Sequence, residues 1–408
     1  FNYDAATERL TLAPSTARWG ESSVSLAGVV LHDAEAGTNS NWAFDIRSVT
    51  GSLAAEEFKV APVKLDNVTV AGRYIPQDNR IEFANVLVEA GGGRMVLTGD
   101  VVAGDGATAG ARIDGQFGPA NANVVKALWP RMMAPRARQW FGDHLTTGIL
   151  RAGTIRFASG SFAPPGAHKG RKGFPESFSL DLTGETVTLQ PVQGGPPLSS
   201  AAVAVTVRDQ ALEITTPDAM LTTGPQEGVS LKEGRFSVGD IDAPIADAEL
   251  AFKTQAPLGS ALKAVQQLQL MRTEGLAVPP DKIQGKLDGE FVIRLPLLPE
   301  IEADTVVITG KAKISDVRST EKIGIINVQS GAVDVVLGAN DAAAKGELIL
   351  NGVLAKLDWR RQRPAGLPAV TSPLTLTATL DNSDRRQLGI DVSDFIDGDV
   401  PVTVAIGA

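Results

Sequence analysis

A chain of 408 residues with a net charge of −9 lacks the strong basic face that a general nucleic-acid binder needs. Cysteine is absent, which excludes disulfides, thiolate catalysis and thiolate metal sites together. At 43% hydrophobic residues it can bury a core, and 42 Gly with 24 Pro supply many turns. The length suits two or three ordinary domains or one elongated β structure.

Short alternating patterns follow one another along almost the whole chain. The first 120 residues read as strands and hairpins, with clear runs at Val24–Leu31, Trp42–Val49, Val68–Tyr74, Ile81–Val88, Arg94–Val102 and Ala111–Phe117. Gly91-Gly92-Gly93 and Gly104-Asp105-Gly106 supply turns. A helical interlude at 121–145 follows: Asn121 or Asn123 caps a short helix through Trp129, Pro130 closes it, and Pro135 opens a second that Gly142 ends. Strands resume over 146–254, interrupted by a polar loop at Pro164–Pro175. A second insertion, 255–280, holds an amphipathic helix from Pro257 to Met271 with Leu258, Leu262, Val265 and Leu268 at helical spacing. From residue 281 to 408 everything reads as strand again.

Two helical insertions cannot supply crossovers for more than fifteen strands, so the strands are expected to be mostly antiparallel. The fold class is all-β with a few helical insertions, in three β segments of one continuous module. Opening on Phe1-Asn2-Tyr3 rather than Met, the chain is expected to be part of a longer protein. No stretch approaches the 18 apolar residues of a membrane-spanning helix.

Residues that carry chemistry are sparse. His32, His144 and His168 sit apart, without metal-ligand spacing. Ser260-Ala261-Leu262-Lys263 fits the SxxK pattern of serine acyl enzymes, but no Lys-Thr-Gly or Ser-Asp-Asn partner accompanies it, so a helix-start serine is the better account. Gly104-x-Gly106 lies between strands and reads as a hairpin rather than a phosphate cradle. The acidic run from Asp381 to Asp399 lacks calcium-loop spacing and reads as solvated turns. Leu128, Trp129, Met132, Trp140 and Phe141 make the helix pair the most amphipathic stretch, edged by Lys126, Arg131, Arg136 and Arg138. It reads either as a lipid contact or, more simply, as helices packed on a sheet with their basic residues in water. The cluster Arg360-Arg361-Arg363 reads the same way. No enzyme, cofactor or metal is expected.

Three stretches carry a family resemblance. Ala127-Leu128-Trp129-Pro130, Ala137-Arg138-Gln139-Trp140-Phe141 and Gly148-Ile149-Leu150-Arg151-Ala152-Gly153 resemble a segment of the AsmA-like bacterial envelope proteins, in the YhdP-type branch. Ile283 to Gly289 with Ile293-Arg294-Leu295-Pro296-Leu297, then Val306–Val317 and Gly346–Trp359, are similar to later segments of that branch. The resemblance covers residues 120 to 360. It implies a periplasmic protein anchored to the inner membrane by an N-terminal helix outside this sequence. It also implies an elongated, twisted antiparallel sheet curved into a U-shaped apolar groove that carries phospholipids toward the outer membrane, with protein partners at the two membranes. It supplies no catalytic residues.

The alternating faces agree with a groove on physical grounds. A curved antiparallel sheet offers acyl chains a continuous apolar lining while the head group stays in water. Candidate liners are Ile155, Phe157, Phe178, Leu180, Leu182, Val203, Val205, Val207, Phe291, Ile293, Leu295, Leu348 and Leu350. Which face of each strand looks inward stays open at this point. The alternative is an envelope assembly scaffold or chaperone-like β protein, whose apolar faces meet in a closed core and leave no groove. Scarce aromatics disfavour a carbohydrate-binding β-helix and a membrane barrel.

Overall fold

The computed structural model describes residues 1–33, 41–104, 109–129, 135–164, 175–192, 194–268, 279–298, 305–322, 326–362, 370–371, 374–390, 392 and 394–406. In chain order these form β1 (Asn2–Asp4), β2 (Arg9–Trp19), β3 (Ser22–Asp33), β4 (Asn41–Leu53), β5 (Val63–Ile75), β6 (Arg80–Ala90), β7 (Gly93–Val102), β8 (Gly110–Phe117) and β9 (Ala120–Asn121). Helices α1 (Ala122–Leu128) and α2 (Pro135–His144) precede β10 (Leu145–Gly160), β11 (Ser177–Leu189), β12 (Leu198–Arg208), β13 (Ala211–Gly224), β14 (Glu227–Val238) and β15 (Asp247–Pro257). After α3 (Leu258–Gln267) come β16 (Ile283–Pro296), β17 (Val307–Ser319), β18 (Val328–Leu337), β19 (Asp341–Leu350), β20 (Val353–Gln362), β21 (Val370–Thr371), β22 (Leu374–Leu380), α4 (Asn382–Gln387) and β23 (Val400–Ile406).

The chain divides into two compact units, the first comprising Phe1–Gln190, Ser200–Thr215 and Ser237–Ala246, the second the remainder. In unit one, β1 to β8 pair antiparallel in chain order, and β8 then pairs with β10 and β10 with β11. In unit two the same succession runs from β15 to β20, then through β22 to β23. The mostly antiparallel, helix-poor architecture expected from the strand grammar is the one observed. The strands form one open sheet: among the described residues its edge strands β1 and β23 pair only with β2 and β22.

Helices meet the sheet where strands end. The Asn121 side chain accepts a hydrogen bond from Val124 N at 3.0 Å and starts α1. Val124 then packs into a core of Val63, Leu65, Ala90 and Ala120. In unit two, α3 sets Ala264 against Leu221, Val229 and Ala256. Its inward face is Leu258, Ala261, Ala264 and Leu268, with Leu262 and Val265 only half-buried. Small residues on that stripe let the helix lie close to the strands, so the larger residues turn aside.

Three helix readings change: α3 ends at Gln267, with Leu268 as its C-cap, rather than at Met271. Gly142 does not end α2, which continues to His144. The reason is tertiary: a Cβ at Gly142 would run into the ring of Phe58, so the glycine admits that ring. Of the acidic run read as solvated turns, Asp381 and Asp384 instead open α4 in a capping box, while Asp394, Asp397 and Asp399 lie exposed in the loop before β23 and Asp391 lies outside the described residues. Strand β2, not among the clear runs, carries Pro14 at a register irregularity between Leu12 and Ser15. A proline there breaks the alternation yet is tolerated at a sheet margin.

Candidate apolar lining and its charged reverse

The pairing registers arrange the inward residues of unit one in rungs that run across its strands. One rung reads Leu10, Val30, Phe44, Gly72, Phe83, Gly99, Ile113, Phe157 and Phe178, each directly opposite the next. The next reads Leu12, Gly28, Ile46, Val70, Val86, Leu97, Gly115, Ile155 and Leu180. A further rung joins Val68, Val88, Met95, Phe117, Gly153 and Leu182. Every member is apolar or glycine. Most are half-buried: their flanks touch cross-strand neighbours while their outer surfaces stay accessible.

Glycine lets large side chains lie down along a rung. A Cβ at Gly115 would collide with Leu97 Cδ2 and stand 2.6 Å from Ile155 Cγ2, so both side chains lean over that glycine. Ile155, Phe178 and Val207 form a buried cluster, joined by Leu97, Phe117, Phe157, Leu180, Leu212 and Ile241. Side chains from β7, β10 and β12 join in that cluster. Val203 and Val205 share strand parity with Val207 and are half-buried.

Unit two repeats the scheme. Ala256, Leu287, Ile314, Val333, Gly346, Leu357, Leu376 and Val404 make one rung from β15 to β23. Phe291 stands opposite Phe252, ring centroids 5.9 Å apart, and Ile293 opposite Leu250. Leu295 pairs with Ala248, Leu348 with Ala355 and Leu350 with Val353. All thirteen candidate liners stand on the apolar face of their own strand; the registers set ten of them opposite an apolar or glycine partner, while Val207 joins Ile155 and Phe178 in their cluster, and Val203 and Val205 share its strand parity. The sequence reading left the β3–β8 part of the lining unnamed. The alternation Trp42-x-Phe44-x-Ile46 and Val68-x-Val70-x-Gly72-x-Tyr74 was the signal that carried it.

The opposite face is charged and laced across strands. Arg73 reaches Glu82 at 2.9 Å, Arg80 reaches Asp100 at 2.6 Å, and Arg208 reaches Asp181 at 2.7 Å. In unit two the register sets Lys313, Asp334, Lys345 and Asp358 opposite one another in turn, an alternating charge ladder. A hydrogen bond from Arg47 holds the Asp45 carboxyl below its usual range, and the Asp100 hydrogen bond raises Arg80. Each exposed pair contributes little to stability, but together they keep this face wet.

The helix pair corrects the expectation of basic residues in water. Lys126 is buried and donates to Leu145 O at 2.8 Å. Arg138 is also buried: its Nε donates to Trp129 O at 2.9 Å, it pairs with Glu57, and its guanidinium lies 4.7 Å from the Phe58 ring centroid. Burial lowers the Lys126 pKa, an effect that Asp143 partly offsets. Of the helix contact candidates, Leu128 packs on the α1 core, and Trp129 and Phe141 face each other with centroids 5.6 Å apart. Trp140, 44% exposed, stacks on His144 at 4.8 Å. Met132 and Arg131 lie outside the described residues, as do His168 and Arg363.

The remaining candidates stay apart. Ser260 is buried, while Lys263 donates to Glu227 at 2.8 Å, so the SxxK pair forms no nucleophile–base contact. His32 pairs with Glu8 and packs at a tilt against Trp42, and His144 Nδ1 contacts Trp140 O at 2.8 Å. Among the described residues no His, Cys, Asp and Glu cluster could hold a metal, and no helix is long and apolar enough to cross a membrane.

Geometry alone thus defines the class: an open antiparallel β-sheet protein with one continuous apolar face and one charged face in each unit. Comparisons with protein-family models, with curated proteins and with solved structures find no match to the chain.

Proposed function

We propose that this protein is a non-enzymatic lipid-binding and transfer module that carries phospholipid along its apolar β faces, across the periplasm between inner and outer membranes. One observation carries the reading: unbroken rungs of apolar side chains, up to nine strands long, whose residues remain half-exposed. Apolar surface on that scale is rare on a soluble protein without a binding role. An acyl chain laid on it gains roughly 25 cal/mol per Å² of apolar area covered, several kcal/mol for a whole chain. The lining rungs of unit one contain no charged side chain, so a lipid sliding along them meets no fixed trap. The envelope location and the direction between two membranes rest on the AsmA-like resemblance.

Native mass spectrometry of the purified chain, with extraction and analysis of co-purifying lipid, tests the reading. Several phospholipids per chain, removed by delipidation and reloaded from liposomes, are the expected result. A chain that carries no lipid and takes up none from liposomes overturns it in favour of an assembly scaffold.

A further inference from the structure

The apolar face of unit one has two unlike margins, one rimmed by amphipathic rings and one closed by a helix. At one margin a fourth rung reads His32, Trp42, Tyr74, Ile81, Val101, Ala111 and Ser159. It gathers three amphipathic rings, whereas the other three rungs hold only aliphatic residues, phenylalanine, methionine and glycine. Polar groups line its outer side: His32 pairs with Glu8, and the Tyr74 hydroxyl donates to Asn79 Oδ1 at 3.4 Å. At the opposite margin, Val68 and Val88 pack against the core that α1 closes. The core there is Val63, Leu65, Ala90, Ala120 and Val124.

Adjacent rungs are two residues apart along the strands, three across the β6 irregularity between Phe83 and Val86, so three intervals span about 20 Å. That length is enough to hold the acyl layer of one leaflet, about 15 Å or half of a ~30 Å hydrocarbon core. Indole, imidazole and phenol rings favour the boundary where hydrocarbon meets polar groups, because each buries a ring and leaves a hydrogen-bonding atom wet. A head group placed at the α1 margin would instead stand against the apolar core of Val63, Leu65, Ala90 and Val124.

We infer that a phospholipid lies along the strands of unit one in a fixed orientation, its head group at the His32–Trp42–Tyr74 rim and its acyl ends at the α1 margin beside Val88, Met95 and Phe117. This inference rests on the lipid-transfer reading and makes Trp42 and Tyr74 positioning residues for the head group.

The test uses the whole chain loaded from phosphatidylcholine vesicles that carry a photoreactive diazirine, either on the head group or at the acyl terminus. Adducts are mapped by peptide mass spectrometry. The head-group probe is expected to favour peptides bearing Trp42 and Tyr74 over those bearing Met95 and Phe117 by about fivefold or more, with the acyl-terminal probe reversed. Equal labelling of both margins by each probe, or the opposite preference, overturns the orientation while leaving lipid binding intact. Absence of adducts from both probes overturns the lipid-transfer reading itself. As a second readout, the pair Trp42→Leu and Tyr74→Phe should keep the lipid load and lose the head-group preference; unchanged preference refutes the role given to these rings.

Discussion

A carboxylate placed in the middle of the lining separates an open apolar face from a covered core. Val70 is half-buried and stands between Ile46 and Val86, whereas Val124, on the inward face of α1, is 1% exposed. In Val70→Asp the lost burial amounts to about 1 kcal/mol, half of what a fully buried valine gains. The weaker strand preference of aspartate adds up to ~1 kcal/mol. The new carboxylate keeps its water on an accessible surface, so the total comes to about 2 kcal/mol. In Val124→Asp the whole burial is lost and the charge enters the interior unpaired, which costs upwards of ~5 kcal/mol. Thr69→Asp, one residue along on the charged face, controls for added charge alone. Urea unfolding midpoints at constant slope read the stabilities, and lipid retained per chain reads the lining. Val70→Asp is expected to fold and to retain at least about tenfold less lipid, since an acyl chain must now dehydrate the carboxylate. Should Val70→Asp be as damaging to stability as Val124→Asp, a second layer covers the face and the groove reasoning fails.

Three further outcomes follow from the helix pair. Arg138→Met should cost about 3–5 kcal/mol by stranding Glu57 and the α1 carbonyls, and adding Glu57→Gln should recover part of it; a double variant no better than the single in urea unfolding contradicts the buried pair. Gly142→Ala should cost roughly 1–3 kcal/mol through its clash with Phe58, and a Phe58→Leu background should shrink that cost in the same assay. Lys126 has a folded-state pKa lowered from 10.5 by burial, so between that lowered value and 10.5 the unfolded state holds more protons and stability rises with pH. Unfolding measured across this alkaline window should show the rise in the parent chain and lose it in Lys126→Met; equal slopes refute the buried ammonium.

The sequence by itself determined the secondary structure of the sheet. Strict alternation in stretches such as Val68–Tyr74 and Arg94–Val102 fixes a strand and divides its residues between two faces, because side chains on a strand have period two. Asn121 and Pro257 marked the starts of α1 and α3 for equally local reasons. What alternation cannot carry is register. Whether Phe44 faces a bulky residue or Gly72 depends on how β4 slides against β5, and rungs of a lining exist only once each strand is set against the next. Gly142 looked like a helix stop because its role lies in Phe58, 84 positions away in the chain. Lys126 and Arg138 read as surface cations, since burial of a charge depends on partners that local patterning does not show: Glu57, a carbonyl and an aromatic ring. Only the tertiary structure decided that these charges clamp helices to a sheet end, leaving the rest of the apolar face accessible.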